Sequence, residues 1–154
     1  MSLHVTFVCT GNICRSPIAE KVFATELRRA GLADGVLVTS AGTGGWHVGC
    51  PADDRAAAVL RAEGYPTEHW ARQIDAELLS ADLIVALDNT HRRAVQAKVP
   101  EPERVRLLRS FDPAAPEGAD VPDPYYGGDD GFAEVMDMIK AAVPGMLEWV
   151  REQR

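Results

Sequence analysis

The chain has 154 residues, of which 46% are hydrophobic and 25% charged, and it carries a formal net charge of −7. That length reads as a single domain over residues 1–154, able to bury roughly two-thirds of the surface its unfolded form exposes. The acidic balance argues against a nucleic-acid binder built on a basic face, and no apolar run approaches the ~20 residues of a membrane span.

The start, Met1-Ser2-Leu3-His4, has neither the basic nor the long apolar region of a signal peptide. Three cysteines do not suit a disulfide scaffold, so a reducing, cytoplasmic location is expected. Leu3 to Val8 alternates β-branched and aromatic residues and predicts a strand. Ser16-Pro17 predicts a helix start, with Ser16 as N-cap and Pro17 at the tolerated first position. Ile18, Val22, Phe23 and Leu27 supply its apolar stripe, and Gly31 its stop. Val36 to Ser40 reads as a second strand. Asp53 to Glu63 reads as a helix with Ala57, Ala58 and Leu60 inward and Gly64 closing it. Asp82 to Leu87 is almost wholly apolar, as a strand covered on both faces would be. Thr90 to Val99 predicts a helix stopped by Pro100, and Val105 to Leu108 a fourth strand. Pro113 to Asp130 is a long loop of Pro, Gly and Asp, of the kind that often carries function. The last helix is predicted from Gly131 to about Arg151, with Pro144 bending or interrupting it. Strands alternating with helices imply an α/β fold: a small doubly wound, four-stranded parallel sheet with helices on both faces. Ligands of such sheets sit beyond the carboxyl ends of the strands, and the first such end is Cys9.

The segment Cys9-Thr10-Gly11-Asn12-Ile13-Cys14-Arg15-Ser16 is the informative one. A thiol at a strand end, followed by a short loop and a helix start, sits where backbone N–H groups and the helix dipole favour an anion. Arg15 can return its planar fork to the same point and grip two phosphate oxygens. Ser16 can donate its hydroxyl to the sulfur and favour the thiolate. Gly11 and Asn12 tolerate the left-handed backbone that a tight turn needs. The nucleotide-binding P-loop is excluded, because its second Gly and its Lys are missing. A buried structural cysteine beside a helix cap would explain Cys9 and Ser16 but not Arg15. Asp88, at the third strand's end, could pair with a basic residue of the pocket or cap a helix. His4, His47 and His91 carry no argued role.

The run from Val8 to Glu20 resembles the low-molecular-weight protein tyrosine phosphatases, as do Ser40-Ala41-Gly42-Thr43, His69 to Arg72, and Asp123-Pro124-Tyr125-Tyr126. These matches lie in the family's order over essentially the full length. Cys-x5-Arg alone is shared by unrelated phosphatases, but at the extreme N-terminus and with a distant Asp-Pro-Tyr-Tyr it is highly specific. The resemblance implies that Cys9 forms a cysteinyl-phosphate, with Thr10 to Cys14, Arg15 and Ser16 shaping the phosphate loop. It makes Asp123, held between Pro122 and Pro124, the general acid, and leaves Asp112 and Asp120 as loop residues. It puts Ile13, Trp46, Tyr125 and Tyr126 on the walls of a slot for a phosphotyrosine ring. It gives Asn12, Ser16, Ser40 and His69 a hydrogen-bond network that stiffens the loop, and Cys14 a redox partnership with Cys9. Cys50 is a bystander.

The expected partner is a phosphotyrosine-bearing protein, with no cofactor, no metal, no nucleic acid and no membrane, on a chain taken as monomeric. Cys9 and Cys14 fall within zinc-ligand spacing, but no second pair completes four ligands and Arg15 would repel the cation. Arsenate reduction on this fold needs further cysteines after the third strand, and residues 80–100 contain none. Phosphoarginine hydrolysis goes with Thr at the place of Ile13, whose apolar bulk suits an aromatic ring. A non-catalytic phosphopeptide-binding module would not need both Cys9 and Asp123.

Overall fold

The computed structural model describes residues 2–154. Four parallel strands form one sheet in the order β2-β1-β3-β4: β1 is Leu3–Cys9, β2 Val36–Gly42, β3 Leu83–Ala86 and β4 Val105–Leu107. The helices are α1 Arg15–Arg29, α2 Asp54–Ala62, α3 Ala76–Leu79, α4 Asn89–Gln96 and α5 Asp129–Glu152.

Strand alternation sorts the core into two layers. Val5, Phe7 and Cys9 of β1 and Leu83 and Val85 of β3 face α1, α2 and α5, where Phe23, Leu60, Phe132 and Ile139 complete one cluster. Val8, Ile84 and Ala86 face the other way, onto Val95 of α4 and Val105. Helices therefore cover both faces, and every residue of β3 is buried. The chain leaves β1 toward β2, then returns past β1 to build β3. The strand order thus reverses between β1 and β3, and the crevice there opens beside Cys9 and Asp88.

Beyond shifts of a few residues at element ends, such as α4 stopping at Gln96 short of Val99, four helices differ from the sequence expectation. Helix α1 begins at Arg15 with Cys14 as N-cap and no side-chain cap bond; Ser16 lies inside the helix, its hydroxyl engaged elsewhere. Helix α2 buries Ala56 and Leu60, while Ala57 is half-buried and Ala58 exposed. Three successive alanines give the pattern no phase, so the predicted face was rotated. The four-residue α3 is too short for any periodicity to reveal. Helix α5 starts two residues before Gly131 and runs unbroken through Pro144. Both Pro144 and Lys140, whose carbonyl the proline leaves without a donor, are exposed, so water can serve that carbonyl. Just beyond, a Cβ on Gly145 would fall 2.1 Å from the Phe111 carbonyl oxygen, so only glycine lets the helix lie this close to the turn after β4.

Candidate active site

Cys9 ends β1 and is 3% exposed; its Sγ lies 2.9 Å from the Ser16 hydroxyl oxygen. The fully buried Asn12 fixes the direction of that contact. Its amide nitrogen donates to Ser16 Oγ at 2.8 Å and to Ser40 Oγ at 2.9 Å, and its Oδ1 accepts from the Arg72 N–H at 2.9 Å. Ser16 Oγ is thus already an acceptor, and its own proton is free to point at the sulfur. Ser40 in turn donates to Glu20 Oε1 at 2.5 Å. Asn12 adopts φ 58°, the left-handed turn expected at this place.

Four of the loop carbonyls point outward, onto donors outside the loop. The Thr43 N–H donates to Cys9 O and the Gly44 N–H to Thr10 O. His69 Nε2 donates to Asn12 O at 2.7 Å, and the Asp53 N–H donates to Ile13 O at 2.9 Å. In a trans peptide the C=O of one residue and the N–H of the next point opposite ways. Outward carbonyls at 9, 10, 12 and 13 therefore turn the N–H groups of Thr10, Gly11, Ile13 and Cys14 inward. Such a ring of donors, closed by the start of α1, can hold an oxyanion. Burial pushes the His69 imidazole below its ordinary value, against the Asn12 carbonyl that favours the charged form. It pushes the Cys14 thiol up to about 12, with Asp53 adding to the effect, so Cys14 is a neutral thiol at neutral pH.

Arg15 is 2% exposed, and its fork is held from below. One terminal nitrogen donates to Asp88 Oδ2 and to Val121 O, each at 2.8 Å. The other is 3.5 Å from Thr10 Oγ1 and 3.7 Å from Asp123 Oδ2. Asp88 also accepts from the His91 N–H, so it is both the ion-pair partner and the cap of α4. Burial pushes the Asp88 carboxyl up, but Arg15 and the His91 N–H outweigh it and the net direction is down.

Asp123 has a side chain 45% exposed, and its Oδ1 accepts from the Tyr125 N–H at 3.0 Å. Asp120 instead anchors the backbone and side chain of Asn89, and Asp112 caps the turn at Ala114. The pocket above Cys9 has a volume of about 450 Å³ and is walled by Ile13, Trp46, His47, Asp123, Tyr125 and Tyr126. All four expected wall residues are there, although Trp46 is 75% and Tyr126 93% exposed. Tyr125 and Tyr126 meet edge to face with centroids 5.0 Å apart. A Cβ on Gly11 would come within 2.8 Å of the His47 ring, so glycine is what admits His47 to the rim.

Sequence reasoning missed Glu20, His47, Arg55 and His91. Each acts across a long separation: His91 Nε2 is 2.8 Å from Thr10 Oγ1, 81 residues away in the chain. A histidine three residues after a helix-capping aspartate is the only hint the sequence holds. Among the described residues, no three His, Cys, Asp or Glu side chains are grouped to hold a metal ion.

Known proteins share this fold and much of this sequence. Residues 4–154 match the family model described as low molecular weight phosphotyrosine protein phosphatase. The low molecular weight protein-tyrosine phosphatase A of Mycobacterium tuberculosis is 60% identical over 152 residues, covering 98% of this chain and 93% of that protein. A crystal structure of the protein tyrosine phosphatase from Entamoeba histolytica, with Hepes in its active site, superposes with a TM-score of 0.93 at 32% identity and covers 99% of both chains. The drosophila arginine phosphatase superposes with a TM-score of 0.86 at 31% identity, over 94% of this chain and 95% of its own. The chain belongs to the low molecular weight phosphotyrosine protein phosphatase family.

Proposed function

We propose that the protein hydrolyses phosphotyrosine in proteins, and small aryl phosphates, through a cysteinyl-phosphate intermediate. The observation that carries this reading is the convergence of Cys9, Arg15 and Asp123 on one aromatic-walled pocket. Cys9 attacks phosphorus in line, aided by the Ser16 hydroxyl. The inward N–H groups and the Arg15 fork hold the equatorial oxygens as charge builds on them, the largest expected source of acceleration. Asp123 protonates the departing phenolic oxygen, then takes a proton from the water that releases phosphate. The net charge of −7 gives no general attraction for a dianion, so the loop itself must supply it.

Ile13, on the pocket wall, favours an aromatic ring over phosphoarginine. Cys14 serves as the resolving thiol: peroxide oxidises Cys9 to the sulfenic acid, and the Cys14 thiol displaces water to form a disulfide. The chain works as one domain, as a monomer, in a reducing cytoplasm; its cysteines are free, and no described helix is long and apolar enough to cross a membrane.

Kinetics of Cys9→Ser and Asp123→Asn on phenyl phosphate, with a panel of phosphotyrosine, phosphoserine and phosphoarginine peptides for the parent enzyme, test the reading. Cys9→Ser should be inactive and Asp123→Asn slower by about a hundredfold or more. Turnover by Cys9→Ser, or equal hydrolysis of all three peptides, would refute it.

A further inference from the structure

Arg55, in the first turn of α2, makes an unusual set of contacts for a residue outside the pocket. Its Nε and one terminal nitrogen bind both oxygens of Asp53 at 3.1 Å. The same terminal nitrogen donates to Tyr125 O at 3.0 Å, and the other donates to Gly127 O at 3.1 Å. The guanidinium also lies over the Phe132 ring at 4.7 Å and the Tyr125 ring at 5.6 Å.

Each end of this clasp leads to the chemistry. Through Asp53, whose N–H donates to Ile13 O, it is fixed to the phosphate loop. Through Tyr125 it is fixed to the residue whose N–H holds Asp123 Oδ1. We infer that Arg55 is a positioning residue, which sets the height and angle of the Asp123 loop over the phosphate loop by holding the Tyr125 and Gly127 carbonyls. This rests on Asp123 being the acid. A planar fork can bind a carboxylate and two carbonyls together; an ammonium cannot. An ordinary exposed ion pair with Asp53 would add little and would touch neither loop.

The consequence is specific to proton delivery. A loop that sags by about 1 Å misplaces the acid and can cost up to about a hundredfold. A leaving group that needs no proton should hardly notice.

The test is kcat/KM for phenyl phosphate and for 2,4-dinitrophenyl phosphate, in Arg55→Ala, Arg55→Lys, Asp123→Asn and the Arg55→Ala/Asp123→Asn double variant. Thermal midpoints and inhibition by inorganic phosphate report on the fold and the phosphate loop. Arg55→Ala should lose about tenfold or more on phenyl phosphate but less than about threefold on the dinitrophenyl ester. Arg55→Lys should lose nearly as much, and inhibition by phosphate should stay within about twofold in both. With Asp123→Asn already present, Arg55→Ala should cost less than about twofold more, because the group it positions is gone. Losses that add in full, or full activity in Arg55→Lys, would overturn the clasp and leave the acid intact. A silent Asp123→Asn would overturn the acid assignment, and the clasp with it.

Discussion

His91 is the site where the fold's dependence on pH can be worked out from one side chain. It is 1% exposed, with Nε2 2.8 Å from the Thr10 hydroxyl and Nδ1 3.2 Å from Asp88 Oδ1. Nδ1 makes no hydrogen bond, but the nearby carboxylate charge favours a proton there, the tautomer in which Nε2 accepts from Thr10. Burial pushes the imidazole down from 6.5 to about 4; Asp88 opposes this, Arg15 adds to it, and Asp123 and Asp120 oppose it more weakly. Between pH 6.5 and 4 the unfolded chain binds a proton there that the folded chain refuses. Stability therefore rises with pH across that window: the contribution is complete above 6.5 and lost as pH falls toward 4. Going from pH 7.5 to 5.0, this one site should cost about 2 kcal/mol, while the depressed carboxyl of Asp88 is still ionised. His91→Gln keeps an acceptor for Thr10 and does not titrate. Urea unfolding of both proteins at the two pH values isolates the site, because His4 and His69 contribute equally to each. The parent should lose about 2 kcal/mol more than the variant on acidification. Dependences that agree within about 0.5 kcal/mol would refute the argument.

Asn12→Ala removes three hydrogen bonds at a fully buried site and leaves a Cβ residue at φ 58°, so urea unfolding should show a loss of about 2–4 kcal/mol together with a fall in kcat. Trp46→Ala and Tyr125→Ala each strip a wall from the pocket, so KM for a phosphotyrosine peptide should rise severalfold at nearly constant stability; an unchanged KM in both would remove the ring-binding assignment. Cys14→Ser should lose the recovery of activity that the parent shows when thiol is added after peroxide, and a Cys9–Cys14 linked peptide should appear only in the parent; equal recovery without that peptide would leave Cys14 as packing.

What the sequence made legible follows from chemistry that is local in the chain. Cys9, Arg15 and Ser16 lie within eight residues, and their types announce an anion site wherever they fall. The strands were readable because Leu83 to Ala86 is apolar throughout and Leu3 to Val8 is rich in β-branched and aromatic residues with polar ones between. Helix faces were harder: the run Ala56-Ala57-Ala58 has the right period but no asymmetry to set its phase. Ser16 misled only as a cap: a serine before a proline is a good helix start, yet α1 begins at Arg15 and the Ser16 hydroxyl meets Cys9, as its chemistry suggested, and Asn12. Arg55, Glu20 and His91 were beyond reach for a plainer reason. Arg55 meets Tyr125 across 70 residues and His91 meets Thr10 across 81, so only the folded chain brings them to the site.

These long contacts divide the site into a fixed half and a yielding half. The phosphate loop is held from both sides, by Asn12 with Ser40, Arg72 and His69, and by Thr10 with His91 and Arg15. Asn12 takes φ 58° at little cost, as asparagine can, and its three side-chain hydrogen bonds fix that turn in place. The acid loop is held by less: the side chain of Asp123 is 45% exposed and Tyr126 is 93% exposed. Its ties to the rest of the site run through Arg55, through the Asp120 bonds to Asn89, and through the Val121 carbonyl on Arg15. A ring entering between the halves therefore meets one wall that cannot move and one that can. Substitutions in the first half should lower stability and kcat/KM together, since the same buried or partly buried hydrogen bonds serve both. Substitutions in the second should lower kcat/KM with little change in stability, because exposed loop residues contribute few buried contacts. Unfolding free energies and kcat/KM measured side by side should show both falling in Asn12→Ala and Thr10→Val, and kcat/KM alone falling in Arg55→Ala and Tyr125→Ala. Both falling together in all four would mean that the two loops form one cooperative unit.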